Sequence, residues 1–248
     1  MTYCLAIKVN NGLVFASDSR TNAGVDYVST FSKMHVFHWA EDRLFVLLTA
    51  GNLATSQAVV NEINRDLEDG RKNSLRSIEY MFDAADYIGT LSTRIQKHHK
   101  DALEQSNLSN EASFIIGGQI SGKEPEIYMV YPQGNYIKAS PETPFLQIGE
   151  TKYGKPILDR IISPETPLTD AARCALVSLD STIRSNISVG PPLQLLVYDA
   201  GSLTAGHHMT LKLASPLYKS LQKHWNEGIQ RAFKRLPRFD WEKLNLDG

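Results

Sequence analysis

The chain of 248 residues has little cysteine, no excess of charge and no long apolar run. Its two cysteines, Cys4 and Cys174, are too few for a disulfide framework and lack metal-site spacing, which indicates small apolar residues in a reducing cytoplasm. The net charge of −1 argues against a protein that mainly binds nucleic acid or an anionic membrane. No window holds the roughly 18 apolar residues of a membrane span, and the first residues do not form a secretory signal. We therefore expect a cytoplasmic protein that binds neither nucleic acid nor a membrane.

The sequence also lacks any linker rich in glycine, serine or proline, any internal repeat and any low-complexity stretch. A chain of this length can bury about 70–75 % of its unfolded surface, which is enough for a full core. We therefore expect one domain over residues 1–248, with residues 214–248 forming a C-terminal helix and tail.

Strand-like and helix-like patterns come in groups along the chain. Runs typical of strands cover residues 3–9, 13–17, 33–39, 44–49, 114–119, 127–131, 136–138, 145–148, 193–198 and 204–213. Helical spacing covers residues 53–67, 78–95, 157–161, 172–183 and 217–229, with Thr169 as a candidate cap of the fourth helix. Strands joined by hairpins, with helices arriving in pairs, predict antiparallel sheets covered by helical layers and exclude a doubly wound parallel fold.

Thr2 is a candidate catalytic residue because Met1 is removed by aminopeptidases when the next residue is small. A terminal threonine carries its own base, since an α-amino group titrates near pKa 7.7–8.0 and can take the proton of the hydroxyl as it attacks. The alternative is that Thr2 is only a frayed chain end. The apolar strand that begins at once after it argues against fraying.

Three further positions are candidates for the same site. A hairpin brings Asp18, at the end of the return strand, across from the chain start, and Lys33 begins the next apolar run. A lysine beside a buried aspartate stays charged and lowers the proton affinity of a nearby hydroxyl and amine. Gly51 stands between a strand and a helix, where backbone N–H groups can bind developing negative charge. The alternatives are a turn residue for Asp18, a solvated strand end for Lys33 and an ordinary turn at Gly51.

Together these features resemble a proteasome β-type subunit. The resemblance is carried by residues 2–8, 16–21, 49–51, 114–118 and 148–149, with Gly24 and Lys33, and spans roughly residues 2–200. Within that superfamily the chain is most similar to the bacterial proteasome homologue Anbu, through residues 149–155 and 185–192.

The resemblance implies an α+β fold, a four-layer αββα sandwich of the N-terminal-nucleophile hydrolase type. It implies that Thr2 is nucleophile and base, that Asp18 and Lys33 tune it, and that the Gly51 N–H is the oxyanion donor. A peptide or amide substrate would lie as an added strand along Thr21, Asn22 and Ala23. The resemblance implies no metal and no organic cofactor, and it implies a homo-oligomer, either a ring or a lock-washer-like assembly.

Two positions depart from the family pattern. Glu150 stands where the family has a serine after a glycine, and Ser185 stands where it has the aspartate of an Asp-x-x-Ser pair, whose serine is kept as Ser188. We retain Glu150 and Ser188 as supporting residues, since these positions normally steady the terminal amine. The spacing from Asp18 to Lys33 is one residue shorter than usual.

The remaining features of the sequence indicate subunit contacts rather than further catalytic or metal-binding residues. The doublets at residues 98–99 and 207–208 are not chelates, because adjacent histidines point in different directions on a helix or a strand. Phe233, Leu236, Phe239 and Trp241 are too apolar for a free tail, so we expect them in a subunit interface. Two alternatives to a threonine peptidase stay open: a catalytically silent or latent assembly subunit of the same fold, and a small-amide hydrolase.

Overall fold

A computed structural model describes residues 1–22, 28–104 and 109–243. The strands are β1 (Tyr3–Val9), β2 (Gly12–Ser17), β3 (Arg20–Asn22), β4 (Val28–Thr30), β5 (Met34–Trp39), β6 (Arg43–Gly51), β7 (Ala112–Ile120), β8 (Glu126–Val130), β9 (Tyr136–Lys138), β10 (Phe145–Gly149), β11 (Leu193–Asp199) and β12 (His207–Leu211). The helices are α1 (Leu53–Glu68), α2 (Met81–Glu104), α3 (Lys155–Ile161), α4 (Leu168–Ser185), α5 (Pro216–Phe233) and α6 (Asp240–Lys243).

Two antiparallel sheets form the centre of the molecule. One has the strand order β10-β1-β2-β11-β12 and the other β5-β6-β7-β8-β9, while β3 and β4 form a separate small hairpin. Strands β1 and β2 pair from Cys4↔Ser17 to Val9↔Gly12, so the chain start lies opposite the end of β2. This register places Asp18 beside the first residues, as the hairpin pattern predicts.

The side chains of β1 alternate between two cores. Cys4 and Ala6 face the second sheet and pack with Phe15, Leu48 and their neighbours in a core between the sheets. Tyr3, Leu5 and Ile7 face the other way and pack under α3, α4 and α5. Because successive side chains of a strand point to opposite faces, a strand buried on both faces is apolar throughout.

A third core lies on the outer face of the second sheet, where α1 and α2 cover Phe45, Leu47 and Ile116. The layer order is therefore helices, sheet, sheet, helices, which confirms the predicted α+β fold with αββα layers. Among the described residues, no helix is long and apolar enough to cross a membrane.

Several local expectations differ from the structure. The Thr169 cap is wrong, because α4 begins at Leu168 and its N-cap is Pro167, whose carbonyl accepts the Asp170 and Ala171 N–H groups. The β3–β4 hairpin has no counterpart among the predicted strands, since its residues are few and mostly polar. At the C-terminal end of the described chain, Phe233, Leu236, Phe239 and Trp241 are exposed, so the proposed burial of these side chains needs a partner surface.

Candidate functional site

Asp18 links the start of β1 to the rest of the site. Its side chain is fully buried, and Oδ1 accepts the Tyr3 N–H at 3.0 Å and a Lys33 Nζ–H at 2.7 Å. Oδ2 accepts the Gly190 N–H at 3.1 Å, and the Asp18 N–H donates to the Tyr3 carbonyl at 3.2 Å. Burial raises the pKa of the Asp18 carboxyl, while the Lys33 charge and these donors oppose that rise. The carboxylate thus holds both the chain start and the lysine.

Lys33 is buried at the point where β5 begins. Its Nζ also donates to the Arg20 carbonyl at 2.7 Å, and its own carbonyl accepts the Thr49 N–H at 3.0 Å. The ammonium is therefore held between Asp18, which follows β2, and the start of β3, while the Lys33 backbone is tied to the end of β6. A cation with two fixed acceptors is oriented without further loss of side-chain freedom.

Thr2 is fixed by β10, the strand that pairs with β1 on the side opposite β2. Its carbonyl accepts the Glu150 N–H at 2.7 Å, and the following residue pairs with Gly149. Gly149 has a φ of +85°, and a Cβ there would lie 2.0 Å from the Thr2 carbonyl oxygen. Glycine is needed here because only it allows this conformation together with this close approach.

The backbone N–H of Gly51 points away from β7. The Asn52 N–H donates to the Glu111 carbonyl across the β6–β7 pair, whereas the Thr49 N–H donates to Lys33 on the opposite side. Since N–H directions alternate along a strand, the Gly51 N–H shares the side of Thr49. Strand β5 begins only at Met34, which pairs with Leu48, so the end of β6 extends beyond it.

A cleft of about 390 Å³ joins these groups. Its lining residues are Met1, Thr2, Thr21, Lys33, Thr49, Ala50, Gly51, Leu53, Ser56 and Gly149. The structure therefore brings Thr2, Lys33, Gly51 and Thr21 together, with Asp18 in contact with the lysine. A more polar depression beside α2 contains none of these groups.

The α-amino group of Met1 lies close to the same charges. Burial lowers the pKa of this amine, and the Lys33 charge lowers it further, whereas the Asp18 and Glu150 charges raise it. The environment at the chain start therefore favours a neutral amine, which is the form that can accept a proton.

The supporting and substrate residues are only partly described. Asn22 ends β3, and Ala23 and Gly24 lie outside the described residues. Ser188 does not line the cleft, and its N–H donates to Asn186 Oδ1 at 2.9 Å. The Glu150 carboxylate accepts from Asn186 Nδ2 at 2.9 Å.

Sequence reasoning missed Asn186 and the close approach at Gly149. Asn186 directly follows Ser185, which replaces the family aspartate. That replacement was the sequence feature that could have pointed to Asn186. Across the described ranges no group of three or more His, Cys, Asp or Glu side chains could hold a metal ion.

Comparison with known proteins agrees with this fold. The family model described as proteasome subunit matches residues 2–197. Anbu, an ancestral β-subunit, from Yersinia bercovieri is 40 % identical over 96 % of this chain and 98 % of that chain, with a TM-score of 0.90. The Anbu complex of Pseudomonas aeruginosa, solved as a helical assembly, is 45 % identical over 96 % and 98 % of the two chains, also with a TM-score of 0.90.

An Anbu Gly-1 mutant from Hyphomicrobium sp. strain MC1 is 38 % identical over 97 % of this chain and all of that chain, with a TM-score of 0.89. The comparison with curated proteins finds no match. The family match over most of the chain and these structural similarities lead to one conclusion: the chain belongs to the proteasome subunit family, in which Anbu proteins are among its relatives of known structure.

Proposed function

We propose that this chain is a threonine-type peptidase or amidase of proteasome-like type, in which Thr2 becomes the N-terminal nucleophile once Met1 is removed. The observation that carries the proposal is the buried Lys33–Asp18 pair at the base of a cleft lined by Thr2 and Gly51. Residues 1–248 would act as one domain, and the reaction below requires neither a metal nor an organic cofactor.

The first half of the reaction forms an acyl-enzyme. The neutral α-amine of Thr2 accepts the hydroxyl proton while Oγ attacks the carbonyl carbon of an amide. The Gly51 N–H stabilises the oxygen that becomes negative, and the positive charge of Lys33 favours loss of the hydroxyl proton. The amine then returns the proton to the leaving nitrogen as the C–N bond breaks.

The second half releases the product. Water takes the place of the leaving group, the same α-amine accepts one of its protons, and the hydroxide attacks the ester. Collapse of the intermediate breaks the ester bond and frees the carboxylic acid, while the ammonium returns its proton to Oγ and restores the Thr2 hydroxyl. One terminal amine thus serves both steps.

A substrate would lie between two backbone edges. Thr21, in β3, and Gly51, at the end of β6, both line the cleft. An extended peptide can add to such edges through main-chain hydrogen bonds, and we propose Asn22 and Ala23 as further substrate-binding residues. Main-chain binding of this kind suits peptides and other amides of extended shape.

The chain would act as a homo-oligomer, a ring or a lock-washer-like assembly. Exposed apolar side chains follow α5 and the residues after it, including Leu217, Phe233 and Trp241. A patch of this kind is typical of a surface covered by a partner. The helical assembly of the Pseudomonas aeruginosa Anbu complex supports self-association. We propose residues 214–248 as the contact residues.

The test is the intact mass of the purified protein before and after reaction with a β-lactone. We expect loss of Met1 and one adduct, with no adduct in Thr2→Ala and an unchanged adduct in Thr143→Ala, an exposed threonine after β9. A retained Met1, or a free Thr2 that takes no adduct, would contradict the proposal and favour a silent or latent assembly subunit. A panel of peptides and small amides would then separate a peptidase from a small-amide hydrolase.

A further inference from the structure

Glu150 places a carboxylate beside the chain start. Its backbone N–H donates to the Thr2 carbonyl at 2.7 Å, directly after the close approach at Gly149. Its side chain is only 10 % exposed. A carboxylate held this close to residue 2 and largely shielded from water acts strongly on charges nearby.

Asn186 fixes the orientation of that carboxylate. Asn186 Oδ1 accepts the Ser188 N–H at 2.9 Å, so the amide is turned with its NH₂ group towards Glu150 Oε2, also at 2.9 Å. The same Nδ2 lies 4.0 Å from the Met1 sulfur. The Glu150–Asn186 pair therefore borders the space that Met1 fills and that its removal would open.

We propose that Glu150, held by Asn186, is a positioning residue that accepts a hydrogen bond from the α-ammonium group of Thr2 and thereby moves the pH range of catalysis upwards. This inference rests on the proposed function, since Thr2 has an α-amino group only after Met1 is lost. Asn186 acts through Glu150 and orients its carboxylate.

Three charged groups face the chain start from different elements. Lys33 lies at the start of β5, Asp18 after β2 and Glu150 after β10, and each acts on the α-amine of Met1, whose pKa Lys33 lowers and the two carboxylates raise. The α-amine of Thr2 would face the same three charges once Met1 is removed. The Asp18 carboxylate already accepts from Lys33 and from two backbone N–H groups. Glu150 Oε1 has Lys152 Nζ at 3.6 Å, beyond hydrogen-bond range, and so can still accept from the amine.

The consequence is a balance between two requirements. The α-amine of Thr2 must be neutral to accept the hydroxyl proton, and the nearby Lys33 charge, which lowers the pKa of the Met1 amine, would favour that form. Glu150 favours the ammonium, which it also holds in place. This carboxylate stands where the family has a serine, so the chain would exchange some activity at low pH for a firmly oriented amine.

The experiment measures the terminal amine without using catalysis. Trace acetylation with acetic anhydride over a pH series, read by mass spectrometry of the N-terminal peptide, reports the neutral fraction of the amine. At pH 7 we expect Glu150→Gln to raise the labelling rate about two- to five-fold. Glu165→Gln, an exposed carboxylate between α3 and α4, is the matched control and should change nothing.

The Asn186 variant separates positioning from simple proximity. Asn186→Ala should raise the rate less than Glu150→Gln, and the double variant should match Glu150→Gln alone, because Asn186 acts only through the carboxylate. The acid limb of kcat/KM should shift to lower pH in Glu150→Gln and stay in place in Glu165→Gln.

Two results would overturn the inference, and both differ from failure of the proposed function. A labelling curve unchanged by Glu150→Gln removes the role of Glu150, and additive effects of the two substitutions remove that of Asn186. A retained Met1 appears in the same mass spectra and contradicts the proposed function. The curve still tests Glu150 in that case, because its charge also acts on the Met1 amine.

Discussion

Lys33 Nζ lies 2.7 Å from Asp18 Oδ1, and the two side chains are 6 % and 0 % exposed. Every other hydrogen bond described for these two side chains is to the backbone, at Tyr3, Arg20 or Gly190. The pair is therefore both a structural link and the only described charge pair at the base of the cleft.

Removal of the lysine should cost stability as well as activity. In Lys33→Met the Asp18 carboxylate stays buried without its cation, and loss of one partner of a buried ion pair costs about 3–5 kcal/mol. We expect the free energy of unfolding in urea to fall by this amount and the β-lactone adduct to disappear.

Two further variants separate the loss of stability from the loss of the β-lactone adduct. Lys138→Met breaks an exposed pair with Glu126 and should cost no more than about 1 kcal/mol, with the adduct intact. The double variant Asp18→Asn, Lys33→Met removes both buried charges and should recover much of the stability without recovering the adduct. Recovery of the adduct in the double variant would contradict the role of Lys33.

A substitution at Gly51 should slow acylation. Gly51 has a φ of +102°, and a Cβ there would lie 2.4 Å from the Glu111 carbonyl oxygen, so Gly51→Ala must shift the backbone that carries the N–H. Loss of one oxyanion donor costs about 100- to 1,000-fold in rate. We expect a loss of this order in the rate of adduct formation, measured by mass over time.

Gly122 provides the matched control for backbone strain. It has a φ of +75°, and a Cβ there would meet open space, so Gly122→Ala introduces left-handed strain without a clash. It should lower stability by about 1–2 kcal/mol and leave the acylation rate unchanged. Equal slowing in both variants would mean that Gly51 acts through stability alone.

The sequence predicted the parts of the site that depend on short-range pattern. The hairpin turn at residues 10–12 fixes the register of β1 and β2, so the meeting of Asp18 with the chain start follows from local chemistry. The contact between Glu150 and Asn186 could not be predicted, because it joins residues 36 positions apart that follow a strand and a helix. The Thr169 cap failed because Pro167, two residues earlier, already starts the helix with its fixed φ.

Acid should destabilise the fold partly through His35. This residue of β5 pairs with Leu47, so it lies on the face that α1 and α2 cover. Burial lowers the pKa of the imidazole below its usual value of about 6.5. As the pH falls below that value the unfolded chain binds a proton before the folded chain does, and stability is lost.

The measurement is the free energy of unfolding at several pH values. His35→Leu should reduce the loss of stability between about pH 7.5 and 5.5, by at most about 1.4 kcal/mol per pH unit. His208→Leu, an exposed histidine on β12, should leave the slope as it is. If stability changes with pH at the same rate in the unsubstituted protein, His35→Leu and His208→Leu, the role of His35 is contradicted.

Self-association should depend on the exposed apolar side chains at the end of α5. Phe233 is 73 % exposed, although a side chain of this kind is stabilised by about 1.5–3 kcal/mol when it is fully buried. A charge at this position in Phe233→Asp would have to be desolvated in any interface that covers it. We therefore expect Phe233→Asp to dissociate the assembly, as measured by light scattering coupled to size-exclusion chromatography.

Lys219→Asp is the control, because it changes the charge on an exposed part of the same helix and should keep the assembly. Phe233 does not line the cleft, so its substitution does not touch the site directly. A dissociated protein that still loses Met1 and takes the β-lactone would show that the site is complete within one chain. Loss of the adduct would mean that assembly completes the site.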